Sequence, residues 1–288
     1  MHKRINLSLF LATFLTTLVA QEIELKPVLI TSTAIKTDEL KSTDAVEIYT
    51  AAEIEKAKVQ NIYEFFNTQT SLFAMPNFGN AFSQKLDMRG YGTENGYQNI
   101  VIVLNGRRLN NIDMVPQFLS SIPPSSIEKI EIVKSSGIVL AGDGANAGVI
   151  NITTKSNSDK EISFYGGTYG ILGGNIFASH SDKNFSISAS AEVQDSDGMR
   201  TVDAAGNKDE SSLATGWVNA KYLPTESLEL RAGVTSTRSD TTYGGSMTKD
   251  EYEQNPKQQG TNIDYSTPSA STRQKYDTDA ISAGFSYF

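Results

Sequence analysis

Residues 142–155 read GDGANAGVINITTK, with glycines at 142, 144 and 148 ahead of a β-branched run. A dinucleotide-binding fold needs the opposite order: a strand, then glycines, then a helix whose N-terminus meets the pyrophosphate. Here a tight turn feeds a strand. Gly142, Gly144 and Gly148 are therefore expected to bend the backbone between a short helical segment and that strand, with Asp143 as a turn residue and no ligand. The neighbouring segments fit the same picture. IEKIEIVK (Ile127–Lys134) and NIVIVL (Asn99–Leu104) read as strands, and the second runs into Asn105-Gly106, a strong signal for a type I′ hairpin. Further upstream, AVEIY (Ala45–Tyr49) is strand-like. Thr50 and Glu53 have the spacing of a capping box, and NIYEFFNTQ (Asn61–Gln69) has helical periodicity. Residues 37–156 thus read as a compact α+β domain.

From Glu161 the pattern changes to period two. FSISASAEV sets Phe185, Ile187, Ala189, Ala191 and Val193 against Ser186, Ser188, Ser190 and Glu192. LELRAGVT (Leu228–Thr235), ISAGFSY (Ile281–Tyr287) and ATGWVNAKY (Ala214–Tyr222) alternate likewise, and 161–169 and 172–180 do so more weakly. About six strands of roughly ten residues are expected, the length that a tilted membrane strand requires. Connections alternate too. SDKN (Ser181–Asn184) and LPTES (Leu223–Ser227) are short, 196–211 is longer, and 239–278 is much longer and polar. Short turns on one side and long loops on the other are the pattern of an outer-membrane barrel. A soluble β-sandwich also alternates, but it fills its core with bulkier residues than these alanines, glycines and serines.

Composition narrows the function. Hydrophobic residues are 39% and charged residues 20% of a 288-residue chain, which is not a disordered composition. The net charge of −8 argues against nucleic-acid binding. With 0 cysteines, disulfide and thiolate chemistry are excluded. Lys3-Arg4 followed by apolar Ile5–Ala20 reads as a signal peptide, being shorter than a bilayer-spanning helix. No zincin, nucleophile-elbow, Walker or CxxC motif is present, so no enzyme is expected. DSDG (Asp195–Gly198) lacks the rest of a calcium loop and reads as the start of an outer loop. No cofactor or resident metal is expected.

LDMRGYGTENG (Leu86–Gly96), VIVLNGRRLNN (Val101–Asn111) and SSIEKIEIVKSSGIVLAGDGANAGVINITTK (Ser125–Lys155), in this order and spacing, resemble the plug domain of TonB-dependent outer-membrane receptors. PVLITSTA (Pro27–Ala34) resembles the TonB box. The resemblance implies an α+β plug domain followed by antiparallel transmembrane β-barrel strands. Residues 1–20 would be the signal peptide, 21–36 the box and linker, 37–156 the plug, and 161–288 the N-terminal part of the barrel. It also implies three kinds of site. Pro27, Val28, Leu29, Ile30, Thr31, Ser32 and Thr33 would engage the partner TonB by strand addition. Arg89 would anchor the plug to barrel carboxylates. Asn77, Phe78, Tyr91, Asn95, Tyr97, Gln98, Arg107 and Arg108 would face a small-molecule metal chelate. The expected function is active uptake of a ferric siderophore, with cobalamin as the alternative. The lone histidine outside the signal segment, His180, gives little support to haem.

The wall is short for that family. Its barrels have 22 strands, and even small membrane barrels use about eight, so about six strands cannot close a barrel alone or spare their edges from lipid. The expectation is an N-terminal part of a receptor, or a truncated chain that only binds ligand.

Overall fold

The computed structural model describes residues 29–30, 37–38, 45–77, 80–94, 98–110, 119–135, 142–157, 159–260 and 271–287. Within them no helix is long and apolar enough to cross a membrane, and strands dominate.

The chain first forms a small hairpin of β1 (Leu29–Ile30) and β2 (Thr37–Asp38), in which Leu29 pairs with Asp38 and Ile30 with Thr37. β3 (Val46–Thr50) then leads into α1 (Ala51–Ala57) and α2 (Ile62–Gln69). The Glu53 carboxylate accepts both the amide and the hydroxyl of Thr50 at 2.8 Å, which satisfies an otherwise orphan donor at the helix start. Asn61 caps α2 by accepting the Glu64 amide at 2.9 Å. A hairpin of β4 (Phe73–Asn77) and β5 (Asn80–Asp87) follows, then β6 (Ile100–Leu104), β7 (Arg107–Arg108), β8 (Ile127–Val133) and β9 (Gly148–Thr154). Asn105 (φ 50°) and Gly106 (φ 80°) turn β6 into β7, the two positive φ values that a type I′ turn needs.

The plug sheet has the order β3-β8-β9-β6-β7, with β6 and β9 parallel. Its helical face buries one continuous core. Tyr63, Phe65 and Phe66 from α2 meet Ile100, Ile102, Ile130, Ile132, Ile150 and Ile152 from the strands. Tyr63, fully buried, bonds its phenol oxygen to the Leu119 amide at 3.1 Å, so the ring enters the core with its polar tip satisfied.

β3 is an edge strand, and Glu47 ties it to Lys134 just beyond β8 and to Ser71 after α2. Burial alone would raise the Glu47 pKa, but the Lys134 ammonium at 2.6 Å and the Ser71 amide at 3.3 Å hold the carboxyl below its usual range. A depressed carboxylate adds stability above its unfolded pKa and loses it as pH falls through the folded value. The gap in unfolding midpoint between the wild type and Glu47→Gln is therefore expected to shrink between about pH 6 and about pH 3. A gap independent of pH in a thermal melt would contradict this.

The second half is one antiparallel meander in sequence order: β10 (Lys160–Gly166), β11 (Leu172–Ser181), β12 (Phe185–Ser196), β13 (Ser211–Thr225), β14 (Leu228–Tyr243) and β15 (Thr272–Tyr287). His180 lies on β11 beside a short turn, and Asp195-Ser196 end β12 where an outer loop starts. The burial pattern is the reverse of a water-soluble sheet. The apolar phase is exposed: Phe164 is 81% accessible, Ile281 86% and Phe285 73%. The polar phase is covered, including Ser186, Ser188, Ser190, Glu192, Thr215, Thr237 and Ser239. A sandwich hides its apolar face; this sheet turns that face outward, as lipid requires.

Two expectations need correction. The polar stretch 239–278 is not all loop, because β14 continues to Tyr243 and β15 begins at Thr272. Ion pairs on the outward face support these strand ends: Arg238 with Asp279 at 2.8 Å and Arg273 with Asp240 at 2.7 Å. The remaining connection also holds a helix, α3 (Lys249–Gln254), capped by Thr248 and Glu251.

Candidate functional site

β9 leaves the plug at Thr154, and Lys155 marks the junction with the wall. Burial alone would lower the Lys155 pKa; the Glu55 carboxylate at 2.8 Å and Asp159 at 3.5 Å lift it above the usual value. Ser179 of β11 accepts the Asp159 amide at 3.1 Å and donates to the Asn157 carbonyl. Ser125 in the plug bonds Asn175 of β11 at 3.3 Å. The exit of the plug is thereby riveted to the first wall strands. A second contact is apolar: Phe82 from β5 packs with Leu213 of β13 and Tyr276 of β15. A third brings the Asn105-Gly106 turn against Arg231 of β14, where a Cβ on Gly106 would meet the guanidinium at 2.5 Å. The plug therefore rests on the inner, polar face of the sheet.

The end of the plug sheet opposite the junction gathers several of the candidate residues. Gly142 (φ 77°) and Gly144 (φ 86°) make the turn, and Gly148 (φ 154°) begins β9. Arg108 donates to the Asp143 carbonyl at 2.6 Å and so supports this turn. Gln98 lies beneath Gly144, whose added Cβ would stand 3.1 Å from the Gln98 carbonyl oxygen. On the other side, exposed Arg89 (φ 62°) donates to the carbonyls of Asn146 and Ala147 at 3.4 Å, and the Tyr91 hydroxyl donates to Asn146 at 3.5 Å. Asn146 in turn donates to Asn99 at 2.8 Å. These are long, weak bonds for two exposed side chains, and the Arg89 guanidinium keeps further N–H donors beyond them.

The structure thus joins Arg89, Tyr91, Gln98 and Arg108 around one loop, residues 142–147. Asn77 stands in a different element, buried at the end of β4, and Arg107 is half-buried on β7. Phe78, Asn95 and Tyr97 lie outside the described residues, as do Pro27, Val28, Thr31, Ser32 and Thr33; Leu29 and Ile30 form β1. Among the described residues no carboxylate lies within ion-pair distance of Arg89, which bonds to loop carbonyls. Sequence reasoning did not find Lys155, Phe82 or the wall pair Tyr165 and Glu192, bonded at 3.0 Å across the inner face. For Lys155 the only signal was its place at the end of a strand entering the wall.

A helix-bearing mixed sheet seated on the polar inner face of an outward-greasy antiparallel sheet defines a plugged barrel wall. Residues 38–149 match the family model described as TonB-dependent Receptor Plug Domain. Residues 38–149 are therefore similar to the plug domain of TonB-dependent receptors, and the strands after them share the fold of the barrel wall in a solved receptor structure.

Among relatives, the ferric enterobactin receptor PirA of Pseudomonas aeruginosa is 27% identical over 136 residues, 42% of this chain and 18% of the relative. The vitamin B12 transporter BtuB of Vibrio vulnificus is 27% identical over 109 residues, 38% of this chain and 17% of the relative. Of solved structures, the ferric yersiniabactin uptake receptor FyuA of Yersinia pestis superposes with a TM-score of 0.61 at 17% identity. That match covers 84% of this chain and 38% of FyuA. The chain therefore spans under a fifth of these two relatives and well under half of the solved structure.

Proposed function

We propose that this chain supplies the plug and the opening wall strands of an outer-membrane receptor that imports a scarce metal chelate. Export would use Met1–Ala20 as a signal peptide. The outer membrane has no nucleotide supply, so the work would come from TonB, pulling on Pro27–Thr33. The observation that carries this reading is the reversed sheet, apolar outside and polar inside, with a separately cored domain seated on its inner face. Its partners are TonB, outer-membrane lipid and the chelate, with no role for nucleic acid and no catalysis.

A ferric siderophore is the cargo that the loop at 142–147 favours. Exposed Arg89 and Tyr91 stand beside the Arg108-supported turn, and a guanidinium with donors beyond its loop bonds suits an anionic, oxygen-rich chelate. The relatives named as enterobactin receptors agree with this. Cobalamin is the second reading, supported by the relatives named BtuB. The test uses cells lacking their own iron receptors and expressing the receptor that carries this chain. Saturable uptake of radiolabelled iron from a ferric siderophore is expected, with Arg89→Ala weakening binding by about tenfold. Uptake of labelled cobalamin alone would move the assignment to the second reading, and uptake of neither would overturn the proposal.

A further inference from the structure

The connections after β10, β12 and β14 are joined to one another as well as to their strands. Arg200, in the β12–β13 connection, sits where they meet. Its Nε donates to the Gln258 carbonyl at 2.9 Å and its Nη2 to the Gly245 carbonyl, both in the β14–β15 connection. Its own amide donates to the Asp209 carboxylate at 2.6 Å, and its carbonyl accepts the Asp209 amide at 3.0 Å. Beside it, the Thr201 amide donates to the Lys257 carbonyl at 2.9 Å. Val202 is fully buried, and a Cβ on Gly244 would stand 3.2 Å from its Cα. The β10–β11 turn joins through Tyr169. Its carbonyl accepts the Asp197 amide at 3.0 Å, and the Lys257 ammonium lies 5.3 Å from its ring centre. A polar loop of this length normally has few such cross-links.

We propose that Arg200 is a positioning residue that locks residues 197–210 to residues 244–260, with the Tyr169 turn seated beside them, as one rigid lobe, so that this sector of the receptor mouth meets its ligand preformed and does not fold over it. The lobe's place at the mouth rests on the barrel reading above. Its rigidity does not, and the experiment reads rigidity alone. One guanidinium bridging two carbonyls of the neighbouring connection is the physical basis, because no other side chain offers that fork of donors.

The absence of native cysteine allows clean spin labelling. Cysteines replacing exposed Ala205 and Glu253 report across the lobe; cysteines replacing exposed Asp182 and Glu226 report between two short turns at the opposite end of the wall. Pulsed electron-electron resonance of the detergent-solubilised protein is expected to give one narrow 205–253 distance with Arg200 present. The distribution should broaden by at least about twofold in Arg200→Ala and recover in part in Arg200→Lys, with the 182–226 distance unchanged throughout. A broad 205–253 distribution with Arg200 intact would overturn the proposal. So would a narrow one surviving in Arg200→Ala, or a 182–226 distance that broadens together with it, since the effect would then be general unfolding.

Discussion

Ile30→Pro is expected to abolish uptake while leaving ligand binding at the cell surface intact. Ile30 lies in β1, which pairs with β2 through only two residues on each side. So short a hairpin has little stability of its own, which leaves the segment available to a partner's sheet edge. Strand addition draws its affinity from backbone hydrogen bonds. Proline deletes a ladder donor and leaves the partner's acceptor unpaired, at a cost of about 1–3 kcal/mol, a factor of about 5 to about 150 in affinity. The plug core starts well downstream, at Ile54, and should not register the change. Ile30→Ala keeps the amide and should keep most transport. Paired binding and uptake assays on the two variants separate the backbone effect from loss of the side chain. Wild-type uptake by the proline variant would remove the pulling role from Pro27–Thr33.

The second large effect is expected at Gly148, the first residue of β9. A Cβ there would stand 2.5 Å from Met88 Sδ and closer still to the Val133 carbonyl oxygen, and φ is +154°. The Met88 side chain can move aside, but the carbonyl belongs to the neighbouring strand of the plug sheet. Gly148→Ala therefore forces the start of β9 away from the end of β8, at a cost of about 3 kcal/mol or more. Against a domain stability of about 5–15 kcal/mol this is a large share. The single tryptophan provides the readout: Trp217 is 4% exposed on the inner face of the wall. A loosened plug should shift its emission to the red and lower the unfolding midpoint. Unchanged fluorescence and melting would show that the sheet absorbs the methyl group.

Much of this fold was legible in the chain because each element carries its own local signal. The hairpin at Asn105-Gly106, the Glu53 contact at the start of α1 and the six alternating strands depend on neighbours a few residues away. The upper halves of β14 and β15 were hidden because the alternation there is between kinds of polar residue. Arg238 and Asp240 face outward while Thr237 and Ser239 face inward, and hydrophobic patterning cannot distinguish them. Thr248 and Glu251 have the capping spacing of α3, but the helix is short and polar all round, so no hydrophobic period marks it in the sequence. At the candidate site, sequence placed Arg89, Tyr91, Gln98 and Arg108 among the relevant residues. It could not tell that Arg108 would support the 142–144 turn while Arg89 reaches the far side of the same loop. Such roles depend on contacts between residues 35 to 58 positions apart.

The two halves of this protein are sorted by opposite media. The plug closes its core over residues 54–152 in the manner of any domain that assembles in water. The wall displays Phe164, Ile281 and Phe285 and is at ease only among hydrocarbon chains. Urea added to the protein in micelles should therefore dissolve the aqueous half first and leave the hydrocarbon-loving half standing. Lys155 and its two carboxylates sit at the border, where one polypeptide passes from one solvent's rules to the other's.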